Sequence, residues 1–194
     1  PSVPGYIYAV KDRNLYVNLF AGNTSTIAVN GKDVMLEENT AYPWNGDIDI
    51  RIRKNKAGRF NLCVRIPGWL RGQVVPSDLY RFADNQKSSY LIFVNGKMVE
   101  GTLDKGYFVI DRNWKSGDRV HVHFDMAPRT VVANSKVAAD QGRVAVERGP
   151  LVYCAETADN KDGVLHVVMN QYPTFATDSD YSIKNTEGDG DRKS

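Results

Sequence analysis

Apolar and polar residues alternate strictly at two places in this chain. Ile48, Ile50 and Ile52 are separated by Asp49 and Arg51 and flanked by Asp47 and Arg53. A strand turns successive side chains to opposite faces, so this spacing predicts a half-buried strand over 47–53, with the isoleucines inward. Residues 59–66 repeat the pattern, with Phe60, Leu62, Val64 and Ile66 as the inward set. Lys54 to Gly58 reads as the turn between them, and Pro67-Gly68 ends the second strand. The tetrapeptide Val-Asn-Gly-Lys occurs twice, at 29–32 and 94–97, each time between short apolar runs. Asn-Gly in that setting predicts a two-residue hairpin turn, because both central residues need positive φ.

The same reading places strands at 15–29 (strand, turn, strand), 90–94, 107–111, 119–126, 143–147 and 151–154, with one helical turn at 77–82. About ten short strands fall between 13 and 156, with turn signals about every 8–12 residues. No helix-length amphipathic stretch competes with them. The expected fold class is all-β, an antiparallel β-sandwich of jelly-roll-like type. The organisation expected is a linker over 1–11, a β-sandwich domain over 12–158, and a further β region or loosely ordered tail over 159–194. Only Val164–Met169 looks like a strand in that tail.

Composition narrows the possible partners. Apolar residues make up 42% and charged residues 25%, ordinary values for a folded domain. The net charge of +2 is too small to indicate nucleic acid or an anionic membrane. No run approaches the roughly 18 apolar residues of a membrane helix. Two cysteines, Cys63 and Cys154, are too few for a disulfide framework and are expected as separate buried thiols. They do not fix a compartment.

Four sets of residues have chemistry to weigh. His121, His123 and Asp125 share one face of a strand, and imidazoles about 7 Å apart along a strand can converge on a metal ion, as in cupins. The Glu such a site wants is replaced by Ala127, which favours a solvent-facing surface. Asp47 and Asp49 offer the paired carboxylates of a glycosidase, but Arg51 and Arg53 beside them suit cross-strand ion pairs. Five basic residues between Arg51 and Arg59 lack the interleaved aromatics of a nucleic-acid site. Trp44, Trp69 and Trp114 could stack on a sugar or could fill a core. No catalytic, cofactor-binding or metal-binding residue is assigned from these patterns.

Three stretches together carry a resemblance. They are Pro4–Val10 with Leu15–Phe20 (PGYIYAV and LYVNLF), Val64–Trp69 (VRIPGW), and Val144–Cys154 (VAVERGPLVYC). In this order they resemble the carboxy-terminal part of the bacterial β-L-arabinofuranosidase family of glycoside hydrolases, over roughly residues 4–170. The resemblance implies a larger parent enzyme whose amino-terminal (α/α)₆-barrel carries the chemistry. It implies a zinc-bound cysteine nucleophile in a Cys-Cys pair upstream of the segment matching Tyr6–Val10. No position here matches that motif, so neither Cys63 nor Cys154 takes the role, and zinc is expected only in the parent's barrel. The implied parent reaction is retaining hydrolysis of arabinofuranosides or related plant-type glycans, in a periplasmic or secreted setting.

The expected role is therefore a non-catalytic accessory region that braces the barrel, with Tyr6, Tyr8 and Tyr16 as candidates for the contact surface or for core packing. An independent carbohydrate-binding module is the second reading, and it requires exposed aromatics or a polar groove. A cupin-like metal site at His121 and His123 is the third.

Overall fold

The computed structural model describes residues 3–158, 160, 162–170, 173–177 and 183–185. Its strands in chain order are β1 (Tyr8–Lys11), β2 (Asn14–Val17), β3 (Asn23–Val29), β4 (Lys32–Thr40), β5 (Asp47–Asn55), β6 (Arg59–Arg65) and β7 (Tyr80–Phe82). They continue as β8 (Tyr90–Val94), β9 (Lys97–Met98), β10 (Thr102–Asp104), β11 (Tyr107–Asn113) and β12 (Arg119–Phe124). The last are β13 (Pro128–Ala133), β14 (Val144–Arg148), β15 (Leu151–Tyr153), β16 (Phe175–Thr177) and β17 (Ile183–Asn185).

These strands form a five-stranded sheet (β1-β2-β6-β11-β10), a six-stranded sheet (β3-β4-β5-β12-β8-β9), a four-stranded sheet (β15-β14-β13-β7) and the β16–β17 pair. The first two make the sandwich. Leu15, Val17, Phe60, Leu62, Val64 and Ile110 from one sheet share a core with Val34, Leu36, Ile48, Ile50, Ile52, Val120 and Val122 from the other. Val131 and Phe82 bring the third sheet into the same core. The period-two residues face inward as expected: Ile48, Ile50, Ile52, Phe60, Leu62 and Val64 are all fully buried.

Both Asn-Gly turns form, joining β3 to β4 and β8 to β9. Asn30 and Gly31 have φ of 50° and 71°, and Asn95 and Gly96 have 52° and 76°. Trp114 fills the sandwich edge and donates from Nε1 to the Phe60 carbonyl at 3.0 Å. At another edge a clasp joins the two sheets: Tyr8 of β1 donates its hydroxyl hydrogen to Glu38 of β4 at 3.1 Å.

Four expectations change. The turn expected at 77–82 is instead the short strand β7, because its backbone finds an open edge on β13. Val164–His166 is a 3₁₀ turn rather than the start of a strand. Fourteen strands lie between 14 and 153, more than the ten expected, because two- and three-residue strands leave almost no periodic trace. Pairing is antiparallel except between β2 and β6, which run parallel. Of the tail expected over 159–194, residues 159, 161, 171, 172, 178–182 and 186–194 lie outside the described residues.

Candidate functional site

The three stretches singled out in the sequence converge on one cavity of about 570 Å³. Asn18, Leu19 and Phe20 follow β2, Pro67, Gly68 and Trp69 follow β6, Glu147 and Val152 come from β14 and β15, and Pro150 from the turn between them. Arg71, Gln73 and Val74 complete the wall from the 3₁₀ turn Trp69–Arg71 onward. That turn forms because the Gly68 carbonyl accepts from both Arg71 N–H and Gln73 N–H, at 2.9 Å each.

Aromatic packing makes the inner wall rigid. Phe20 meets Tyr42 edge-on at 5.5 Å and Phe124 at 5.4 Å, and Trp69 meets Phe124 at 6.0 Å. Asn18 holds the rim. Its backbone N–H donates to the Ile7 carbonyl at 2.8 Å, its Nδ2 to the Tyr6 carbonyl at 3.2 Å, and its Oδ1 accepts from the Tyr107 hydroxyl at 2.8 Å. The Val3–Tyr6 turn is thereby fastened to the cavity edge.

Glu147 is the unusual member. It is 7% exposed, and burial raises its carboxyl to about 7, against an opposing pull from Arg129. Arg129 lies directly opposite Glu147 in the β13–β14 register, yet its guanidinium pairs with Asp84 at 2.6 Å and stacks over Phe82 at 3.5 Å. Sequence reading did not single out Glu147. The alternation Val144, Val146 suggests those residues point inward, whereas the β13–β14 pair buries the other face, with Arg129, Val131 and Glu147. A second buried carboxyl, Glu38, is also raised to about 7 by burial, despite hydrogen bonds from Tyr8, Ala21 N–H and Asn23 that favour its charge.

The other candidates fall elsewhere. His121 and His123 lie opposite Asp49 and Asp47 across β12 and β5, with Nδ1 contacts of 3.0 and 2.7 Å. Each imidazole is engaged by a neighbouring carboxylate, and no group of three or more metal-ligating side chains gathers among the described residues. Arg53 pairs with Glu37 at 2.8 Å, as cross-strand ion pairing on this face requires. Trp69 and Trp114 are buried and only Trp44 is half exposed, so the three form no common platform. Cys63 and Cys154 are free thiols, but only Cys63 is buried; Cys154, just past β15, is exposed. Tyr6 is exposed, Tyr8 points into the Glu38 clasp, and Tyr16 packs edge-on to Tyr107 at 5.0 Å.

Fold and cavity together define a multi-sheet β-sandwich unit that buries three carboxyl residues, Glu38, Asp118 and Glu147, and raises the pKa of Glu38 and Glu147. Comparison with known proteins identifies its relatives. Residues 14–126 match the model described as the β-L-arabinofuranosidase, GH127 middle domain, and residues 128–185 match the glycoside hydrolase family 127 C-terminal domain. The chain belongs to glycoside hydrolase family 127. It is 34% identical over 166 residues to the non-reducing end β-L-arabinofuranosidase of Bifidobacterium longum, covering 82% of this chain and 22% of that protein. Among solved structures, a GH127 β-arabinofuranosidase superposes with a TM-score of 0.86 at 46% identity, over 95% of this chain and 32% of the other. A GH127 β-L-arabinofuranosidase from Geobacillus stearothermophilus T6 gives a TM-score of 0.69 at 34% identity, over 82% and 23%. This chain thus spans between about a fifth and a third of the relatives' length, and corresponds to part of a larger multidomain protein.

Proposed function

We propose that this region is a non-catalytic support within a GH127 hydrolase acting on β-L-arabinofuranosides, and that it packs against the parent's catalytic (α/α)₆-barrel through the outer face of the five-stranded sheet. A band of uncharged side chains across the middle of the five-stranded sheet carries this reading; the rows on either side of it hold Lys11 and Asp111, and Arg65 and Asp104. One row across the five-stranded sheet runs Ala9, Tyr16, Cys63, Val109 and Thr102, without a charge. The central strands of the six-stranded sheet instead present Glu37, Arg51 and Arg119 in one row and Asn39, Asp49 and His121 in the next. An uncharged band of this kind, with Tyr16 in it, suits a partner surface. Asn18, at the end of β2, fastens the Tyr6 and Ile7 carbonyls, and Tyr107 of the same sheet binds its side chain.

The buried thiol of Cys63 is unsuited to act as a nucleophile. Burial, with the charge of Asp104, raises the Cys63 thiol to about 11, the opposite of what an attacking thiolate needs. Zinc chemistry is assigned to the parent's barrel, and no step is routed through residues of this chain.

The test is Val109→Lys, made both in this chain and in the full-length parent. The isolated chain should keep its melting temperature, because Val109 is on the outer face. The parent should lose stability or separate into two transitions. Equal destabilisation of both would assign Val109 to internal packing and remove the support for docking.

A further inference from the structure

We infer that the cavity between the 3₁₀ turn Trp69–Arg71, β7 and the loop 83–89 is a binding site for a phosphate group, free or carried by a small polar ester. The inference does not rest on the docking role.

One buried donor is left over at this place. Arg129, only 6% exposed, forms part of the cavity wall. Its guanidinium is held on two sides. The Phe82 ring lies 3.5 Å from it, and Nε and Nη2 donate to Asp84 Oδ1 at 3.2 and 2.6 Å. The third nitrogen, Nη1, is buried and meets no acceptor among the described residues. Glu147 lies opposite Arg129 in the β13–β14 register but is not that acceptor, and burial raises its carboxyl to about 7. A buried charged donor without an acceptor is costly, and an oxyanion supplies one.

Charge selects the ligand. Arg71, Arg81 and Lys87 stand in the same wall, and none of them pairs with a carboxylate among the described residues. Asp84 is the one carboxylate of the wall, and Arg129 already neutralises it. Four cations therefore face one anion, a surplus of three charges. A cation would be repelled, and a neutral ligand would leave the surplus as it stands. A group with two negative charges on one tetrahedral centre offsets most of it, and the planar fork of arginine matches phosphate oxygens. Gln86 and Ser88 line the same space and can donate to further oxygens. The volume of about 440 Å³ lies within the range of small-molecule sites and leaves room for a polar body beside the phosphate.

The experiment titrates the purified chain at pH 6.5 with inorganic phosphate, with glycerol 3-phosphate and with succinate. Sodium chloride keeps the ionic strength constant, and amide chemical shifts and calorimetry follow binding. At this pH a phosphate monoester is still mostly dianionic. Phosphate should saturate at about a millimolar, with shifts centred on residues 81–88 and 129. Tighter binding of glycerol 3-phosphate assigns an ester as the ligand, and equal binding assigns the free ion. Arg81→Gln combined with Lys87→Gln alters two exposed side chains and should keep the melting temperature. The pair should weaken binding about tenfold, the loss of charge-assisted contacts. Arg129→Lys keeps a cation beside Asp84 but removes Nη1, and should abolish saturation in a chain that still melts cooperatively. The inference is overturned by shifts that rise without saturating, by saturation centred elsewhere, by succinate binding as tightly as phosphate, or by binding that the Arg81 and Lys87 pair of substitutions leaves unchanged. None of these outcomes touches the Val109 test of docking.

Discussion

Arg129 and Glu147 are cross-strand neighbours that do not pair, because the Arg129 guanidinium reaches 2.6 Å to Asp84 instead. Asp84 follows β7, a strand inserted between two parts of the six-stranded sheet but hydrogen-bonded to β13 of the third. The Arg129–Asp84 pair, the Phe82 stack, the Lys136–Asp78 pair and the β7–β13 ladder therefore bind together the two matched regions, 14–126 and 128–185.

Arg129→Met should destabilise the described unit by about 2 kcal/mol, since Asp84 would lose its partner in a partly buried position. Urea unfolding of the normal chain should show one transition common to near-ultraviolet dichroism and tryptophan fluorescence. The variant should shift that transition to lower urea or split it. An unchanged midpoint would show that the interlock contributes nothing.

Stability should depend on pH with a definite sign. Glu38 and Glu147 hold their protons up to about 7 in the fold, against 4.5 for an ordinary glutamate. Between those values the folded chain binds more protons than the unfolded chain, so stability falls as pH rises through that window. Asp84 acts in the opposite sense. Burial alone would raise it, but hydrogen bonds from Arg129 and Gln86 hold it below its usual 3.8, and its contribution is lost in stronger acid. Urea midpoints measured from pH 4 to pH 8 should therefore decline, and Glu147→Gln should flatten part of the decline. A midpoint that rises across this interval would contradict the burial of both carboxyls.

Much of this was legible in the sequence. The isoleucines at 48, 50 and 52 and the two Asn-Gly pairs marked strands and turns, because burial on one face and positive φ leave direct traces in residue choice. Alternation put His121 with His123, and Asp47 with Asp49, on shared strand faces, but that the two strands pair and bring His121 to Asp49 and His123 to Asp47 was not legible, because alternation does not say which strands are neighbours. The β7 insertion left no such trace, since three residues carry too little periodicity and the partner strand begins some fifty residues later. Glu147 was hidden for a different reason: its strand reads as though the valines were inside, and only the pairing with β13 buries the glutamate face. Motif residues marked the cavity wall without showing that they meet.

Glycines test the backbone account. Gly31→Ala should cost only about 1 kcal/mol, because its positive φ is disfavoured but nothing lies near the added methyl. Gly46→Ala should be far worse, because a Cβ there would collide with the Phe124 carbonyl oxygen. Comparable melting temperatures for the two variants would contradict the close approach of residue 46 to β12.

His121 and His123 should not hold a metal. Elemental analysis of purified chain dialysed against zinc should find less than one ion per molecule, and His121→Ala should not change it. Stoichiometric zinc removed by that substitution would reopen the metalloenzyme reading.

The central claim, that this region supports chemistry performed elsewhere in a larger hydrolase, is tested most directly by one assay. The purified chain and its full-length parent are incubated with an aryl β-L-arabinofuranoside and the released phenol is followed. Turnover by the parent and none by the chain is the expected result. Release by the chain itself, abolished by changing a side chain within it, would contradict the claim.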